Sequence, residues 1–193
     1  GYLPCTKSHE NKTNATNADV SFRASGQNKT AMEAIEHIVF DWGDTLMRDF
    51  PGTHGPMYMW ERIEVFPHAA EVLEKLSAKY VLSVASNAGE SDTSDMRKAL
   101  VIGGLDHYFN NHYTSKDLGV CKPDPAFFTR ICSEAGLNPA HSVLIGNDYK
   151  KDIVGAKAAG MKTILVNHAG AQGPFELADF VVSELKELLQ VLL

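Results

Sequence analysis

The residues in this sequence that could do chemistry fall into four short stretches. These are Asp41-Trp42-Gly43-Asp44-Thr45, Ser86-Asn87, Cys121-Lys122-Pro123, and Gly146-Asn147-Asp148 with Asp152. An aspartate can attack phosphorus and can also hold a hard cation, so Asp41 is a candidate nucleophile, metal ligand or both. Each stretch also has a plainer reading. Asp-Trp-Gly-Asp and Ser-Asn are good turn sequences, Lys122 could lie on the surface, Asp148 suits an N-cap, and Asp152 suits a first helical turn.

What separates these readings is the position of the residues relative to the elements around them. His37-Ile38-Val39-Phe40 is an apolar, partly β-branched run that ends at Asp41, as expected of a buried parallel strand. Further strands are predicted at Tyr80–Ala85, Tyr108–Thr114, His141–Ile145, Lys162–Val166 and Asp179–Val182. Helical patterns lie between them: one opened by Pro67, others over 91–102, 121–136 and 149–159, and a last one capped by Ser183. Strands alternating with helices imply a three-layer α/β/α fold around a mostly parallel, Rossmann-like sheet with right-handed crossovers. The four stretches then all lie at strand C-termini, the edge of an open α/β sheet where ligands bind. That shared placement favours a common site over four separate turns.

The composition sets limits on partners. With 193 residues, 44% of them hydrophobic, the chain is sized for one domain with a full core. A net charge of −6 speaks against a general nucleic-acid or anionic-membrane binder. Cys5, Cys121 and Cys132 are scattered, with no CxxC spacing, so neither a disulfide framework nor a zinc site is indicated, and Cys121 reads as a plain buried thiol. No apolar stretch reaches spanning length and no secretory segment is visible, so a soluble, cytoplasmic protein is expected. Residues 1–30 are rich in Asn, Thr, Ser and Lys and are expected to form a polar arm on a core domain over 31–193. Within that core, the Pro/Gly-rich segment 47–66 is expected to be a short hairpin or lid.

The order of these motifs resembles the haloacid dehalogenase superfamily, most of whose members are Mg2+-dependent phosphohydrolases. The resemblance covers about 36–193. It rests on the strand ending Asp41-Trp42-Gly43-Asp44-Thr45-Leu46, on Ser86, on Lys122 in Gly119-Val120-Cys121-Lys122-Pro123-Asp124, and on Gly146-Asn147-Asp148-Tyr149-Lys150-Lys151-Asp152 followed by Gly155-Ala156-Lys157-Ala158-Ala159-Gly160-Met161. It implies that Asp41 attacks phosphorus in line and forms an aspartyl-phosphate, which splits one hard step into two. It also implies Mg2+ held by Asp41, the Gly43 carbonyl and Asp148 or Asp152. Ser86, with Asn87 and Thr45, would bind the phosphoryl oxygens, and Lys122 would neutralise the developing charge. The implied partner is a phosphorylated substrate, and nothing in the sequence indicates an oligomer.

Two departures from the family pattern matter. Phosphatases of this kind usually carry a second aspartate, two residues after the nucleophile, as the acid/base; here that residue is Gly43, and the nearest acid is Asp44. Losing a positioned acid/base typically costs ~10²–10⁴ in rate, so a slow phosphatase is expected, with a catalytically impaired phosphate-binding or interaction protein as the alternative. The gaps between motifs leave room for the 47–66 loop but for no inserted cap domain. A receiver domain is disfavoured because its phosphoacceptor lies on a middle strand. A dehalogenase is disfavoured by the absent cap and the retained late acids.

Overall fold

The computed structural model describes residues 32–193, so the polar arm expected over 1–30 lies outside the described residues. Six strands form one sheet: β1 (His37–Phe40), β2 (Val81–Ser86), β3 (Asn111–Thr114), β4 (Ser142–Gly146), β5 (Lys162–Val166) and β6 (Phe180–Val182). Their order is β3-β2-β1-β4-β5-β6 and every pairing is parallel. The strand order reverses at β1, which pairs with β2 on one side and β4 on the other, so Asp41 stands at the switch point of the sheet.

Helices α1 (Ala69–Ser77), α2 (Thr93–Ile102), α3 (Ser115–Leu118), α4 (Pro125–Glu134), α5 (Gly155–Ala158) and α6 (Leu188–Leu192) complete the layers. Two hydrophobic clusters divide by face, as strand side chains that alternate across a sheet require. Ile38 and Phe40 of β1 pack with Leu73, Leu76, Met96 and Leu188 from α1, α2 and α6. Val39 packs on the other face with Phe127, Phe128 and Ile131 of α4 and with Ala156 of α5.

Two local expectations are corrected. The run 149–159 is not one α-helix: Tyr149–Val154 winds as a π-helix before α5 begins. Ser183 does not cap the last helix; its backbone N–H donates to Glu187 Oε2 at 3.1 Å, and a 3₁₀ turn over Leu185–Glu187 precedes α6. The segment 47–66 is a closed flap. Its base pairs Met47 with Val65 in an antiparallel bridge, Arg48 N–H donates to Glu64 O, and a 3₁₀ turn over Met57–Met59 forms its outer part. No inserted domain lies between β1 and β2 or between β2 and β3, where the flap with α1, and α2, make the connections.

Candidate functional site

Asp41 follows β1 directly, and its backbone N–H donates to Ile145 O of β4 at 2.8 Å, so the sheet ladder itself fixes the carboxylate at the edge. Both of its oxygens are engaged. Thr45 Oγ1 lies 2.9 Å from Oδ2, and Lys122 Nζ donates to Oδ1 at 2.7 Å. Lys122 also donates to Asp152 Oδ1 at 2.8 Å. One ammonium, 4% exposed, therefore bridges two carboxylates that arrive from β1 and from the π-helix. Desolvation alone would lower the Lys122 pKa, but the charges of Asp152 and Asp41 outweigh it and hold the pKa above the usual lysine value. Burial and then repulsion from Asp41 push Asp152 up to about 6 in spite of Lys122.

Lys122 is aimed by its neighbours. Asn87, just past β2, accepts the Lys122 backbone N–H at Oδ1 and donates from Nδ2 to the Lys122 carbonyl, each at 2.9 Å. On the far side, a Cβ built on Gly155 would lie 2.4 Å from the Pro123 carbonyl oxygen, so α5 can pack against this loop only with glycine there. Gly146 serves Asp152 in the same way. A Cβ at that position would fall 2.4 Å from Asp152 Oδ2, the oxygen that accepts the Asp148 N–H.

Asp41, Lys122, Asp152 and Thr45 thus come together, and Ser86 closes β2 beside them, buried and in register with Thr114. Three residues expected to do chemistry are placed as supports. Asn87, expected to bind substrate, uses both ends of its amide on the Lys122 backbone. Thr45, likewise expected to bind substrate, gives its hydroxyl to the Asp41 carboxylate. Asp44, the nearest acid to position 43 and so a candidate catalytic acid, sits at φ 57° with Oδ1 accepting the Asp49 N–H at 3.0 Å, so its carboxylate braces the flap. Asp148 faces its own helix, accepting Lys151 N–H at Oδ1, with Lys151 Nζ 3.4 Å from Oδ2.

Asn147 was not among the expected site residues. Its side-chain oxygen position lies 3.2 Å from Thr45 Oγ1. The Thr45 hydroxyl has one proton, so its contact with the Asn147 amide oxygen is the longer and weaker of the two it shares with Asp41. The clue was its place directly after β4, where a polar side chain must face the crevice. Cys121 differs too: it is half-buried and disulfide-bonded, which leaves Cys132 as the free thiol among the described residues. Pairing follows proximity in space, which scattered spacing does not reveal.

Among the described residues no three Asp, Glu, His or Cys side chains group to hold a metal. Any cation here would need neutral oxygens beside Asp41, and the Gly43 carbonyl and the Asn147 amide can supply them. Such a mixed oxygen set suits Mg2+, which retains several waters.

Residues 4–166 match the family described as haloacid dehalogenase-like hydrolase. The chain belongs to that family. Among curated haloacid dehalogenase-like proteins it is 31% identical over 139 residues to an (S)-2-haloacid dehalogenase of Burkholderia cepacia, covering 70% of this chain and 58% of the relative. It is 34% identical over 134 residues to a glyceraldehyde 3-phosphate phosphatase of Methanothermobacter thermautotrophicus, covering 64% of this chain and 58% of the relative. The chain therefore spans 58% of the length of these two relatives. Among solved structures, an uncharacterized protein of Listeria monocytogenes serotype 4b superposes with a TM-score of 0.72 at 25% identity, over 82% of this chain and 97% of that one.

Proposed function

We propose that this chain is a Mg2+-dependent phosphohydrolase that works through an aspartyl-phosphate at Asp41, slowly because glycine occupies position 43. The observation that carries this reading is the buried bridge in which Lys122 holds both Asp41 and Asp152 at the sheet's switch point. The bridge holds the Asp41 carboxylate in position to attack, with Thr45 fixing its rotation. Lys122 offsets negative charge as the phosphoryl group approaches, and Ser86 borders the same crevice as a hydroxyl for its oxygens. Asp41, the Gly43 carbonyl and Asn147 would hold Mg2+, with Asp152 anchoring Lys122 beside them. When bound, Mg2+ would supply positive charge against the phosphoryl oxygens.

Phosphatases among its relatives support this reading over dehalogenation, as do Lys122 and the late acids. Release of inorganic phosphate from a panel of phosphate esters, with and without Mg2+, tests it. We expect Mg2+-dependent turnover, abolished by Asp41→Asn, at roughly 10⁻¹ s⁻¹ or below, since typical values near 10 s⁻¹ would fall by ~10²–10⁴. Turnover that survives Asp41→Asn sinks the proposal. A phosphate-binding protein without turnover is the second reading, favoured by Gly43. It is recognised by tight binding of a fluoride–metal phosphoryl mimic with no phosphate release.

A further inference from the structure

We propose that Asp49, at the base of the flap, is the proton donor and acceptor of this site, a weaker stand-in for the acid that position 43 lacks; this rests on the phosphohydrolase reading above. A Cβ built on Gly43 would have Asp49 as its nearest neighbour: the three closest heavy atoms are Asp49 Cβ and Oδ2 at 3.8 Å and Cγ at 3.9 Å. The Asp49 side chain thus lies beside Gly43, in van der Waals reach of the point where a side chain at position 43 would begin.

The turn that shifts the acid from 43 to 44 also brings Asp49 there. Asp44 takes the left-handed conformation at φ 57° and its N–H donates to the Met47 carbonyl at 2.7 Å, which folds the chain back on itself. Gly43 and Met47 are bridged, and the Asp44 carboxylate then holds the Asp49 N–H. From the outer side, Arg48 N–H is fixed to Glu64 O at 2.8 Å, so residue 49 leaves a held point on the flap. Asp44 is therefore a positioning residue, and Asp49 is the carboxyl delivered.

In the first step an Asp41 oxygen bonds to phosphorus, the ester P–O bond breaks, and the leaving oxygen takes the proton of the Asp49 carboxyl group. In the second, the Asp49 carboxylate accepts a proton from water, the water oxygen bonds to phosphorus, and the P–O bond to Asp41 breaks. Phosphate leaves and both aspartates are restored.

The test compares the unaltered protein with Asp49→Asn, which keeps the backbone N–H that Asp44 holds, and with Asp49→Ala. p-Nitrophenyl phosphate and an alkyl phosphate, both with Mg2+, serve as substrates. p-Nitrophenolate leaves without a proton, so Asp49→Asn should retain a burst near one equivalent with that ester while steady turnover falls ~10²-fold as phospho-Asp41 accumulates. With the alkyl ester, the first step itself should slow to a similar degree. Gly43→Asp added to Asp49→Asn should recover most of the turnover, because the Cβ contacts at 43 are ordinary van der Waals distances.

Turnover of both Asp49 variants within twofold of the unaltered protein overturns the proposal, and so does equal loss of burst and steady phases in both. If Asp41→Asn abolishes turnover while the Asp49 variants do not, only the Asp49 assignment fails. If turnover survives Asp41→Asn, or no phosphate is released at all by the unaltered protein, the phosphohydrolase reading fails and takes this proposal with it.

Discussion

Lys122 settles most of the electrostatics of the crevice. Two carboxylates aimed at one another from the end of β1 and from the π-helix would repel, and a buried ammonium between them turns the repulsion into two charge-assisted hydrogen bonds. Removing one partner of such a buried group strands the others, which typically costs ~3–5 kcal/mol. The lysine position is therefore structural as much as chemical, and stability has to be measured alongside activity for any variant there. The metal ligands can be separated more cleanly. Asp148 is tied to Lys151, whereas Asn147 adjoins Thr45 and, through it, Asp41. We predict that Asn147→Ala weakens Mg2+ binding, measured by titration calorimetry, at least ~10-fold more than Asp148→Ala, because Asn147 borders Asp41 while Asp148 is turned to Lys151. The reverse ranking would return the ligand role to Asp148. Asn147→Asp should tighten binding by adding a charge.

At the level of elements, β1, β2, β4 and β5 were legible as largely apolar runs of four to six residues bounded by turn residues, and every predicted strand, the polar β3 and the three-residue β6 included, is present within a few residues. Asp41 and Ser86 could be placed at the crevice because they follow or close β1 and β2, whereas Lys122 comes after α3 and Asp152 lies within the π-helix, so folding rather than strand position brings them there. The sequence was silent where distance in space decides. Asn87, Thr45 and Asp44 are ordinary turn residues by type, and only their partners show that they aim other groups. Asp49 lies in a segment with no motif. The π-helix was missed because Tyr149-Lys150-Lys151-Asp152-Ile153-Val154 has an unremarkable helical composition, and the extra residue per turn serves to seat Asp152 against Gly146 and Lys122. The glycines give a test at this scale. Ala at Gly155 would press its Cβ to 2.4 Å from the Pro123 carbonyl and 2.6 Å from the Phe128 ring, neither a flexible chain end. Gly155→Ala should cost about 2–3 kcal/mol in urea unfolding, as overpacking does, whereas Gly43→Ala should change it by less than about 1. Equal effects of the two would contradict the packing described.

For the molecule as a whole, the end of the sheet opposite the crevice controls the response to acid. His37 opens β1, is fully buried, and sits between two hydroxyls, with Nε2 2.7 Å from Ser83 Oγ and Nδ1 3.2 Å from Ser142 Oγ. Burial lowers its pKa from 6.5 to about 4. Between those values the unfolded chain binds the proton more readily than the folded one. His37 stability is therefore fully present above pH 6.5 and is lost as pH falls toward 4, by about 3 kcal/mol in all. Asp152 acts in the opposite sense. Its folded pKa of about 6 exceeds the ordinary 3.8, so protonation on acidification favours the folded state over the same window. The two contributions come from opposite ends of β1 and β4 and partly cancel, which makes the unaltered protein a poor reporter of either. Comparing it with His37→Gln separates them, because the amide can hydrogen-bond to the serines without titrating. The urea midpoint of His37→Gln should gain on, or fall less than, that of the unaltered protein between pH 7 and pH 4.5. A variant whose midpoint tracks the unaltered protein across that range would place the acid sensitivity elsewhere.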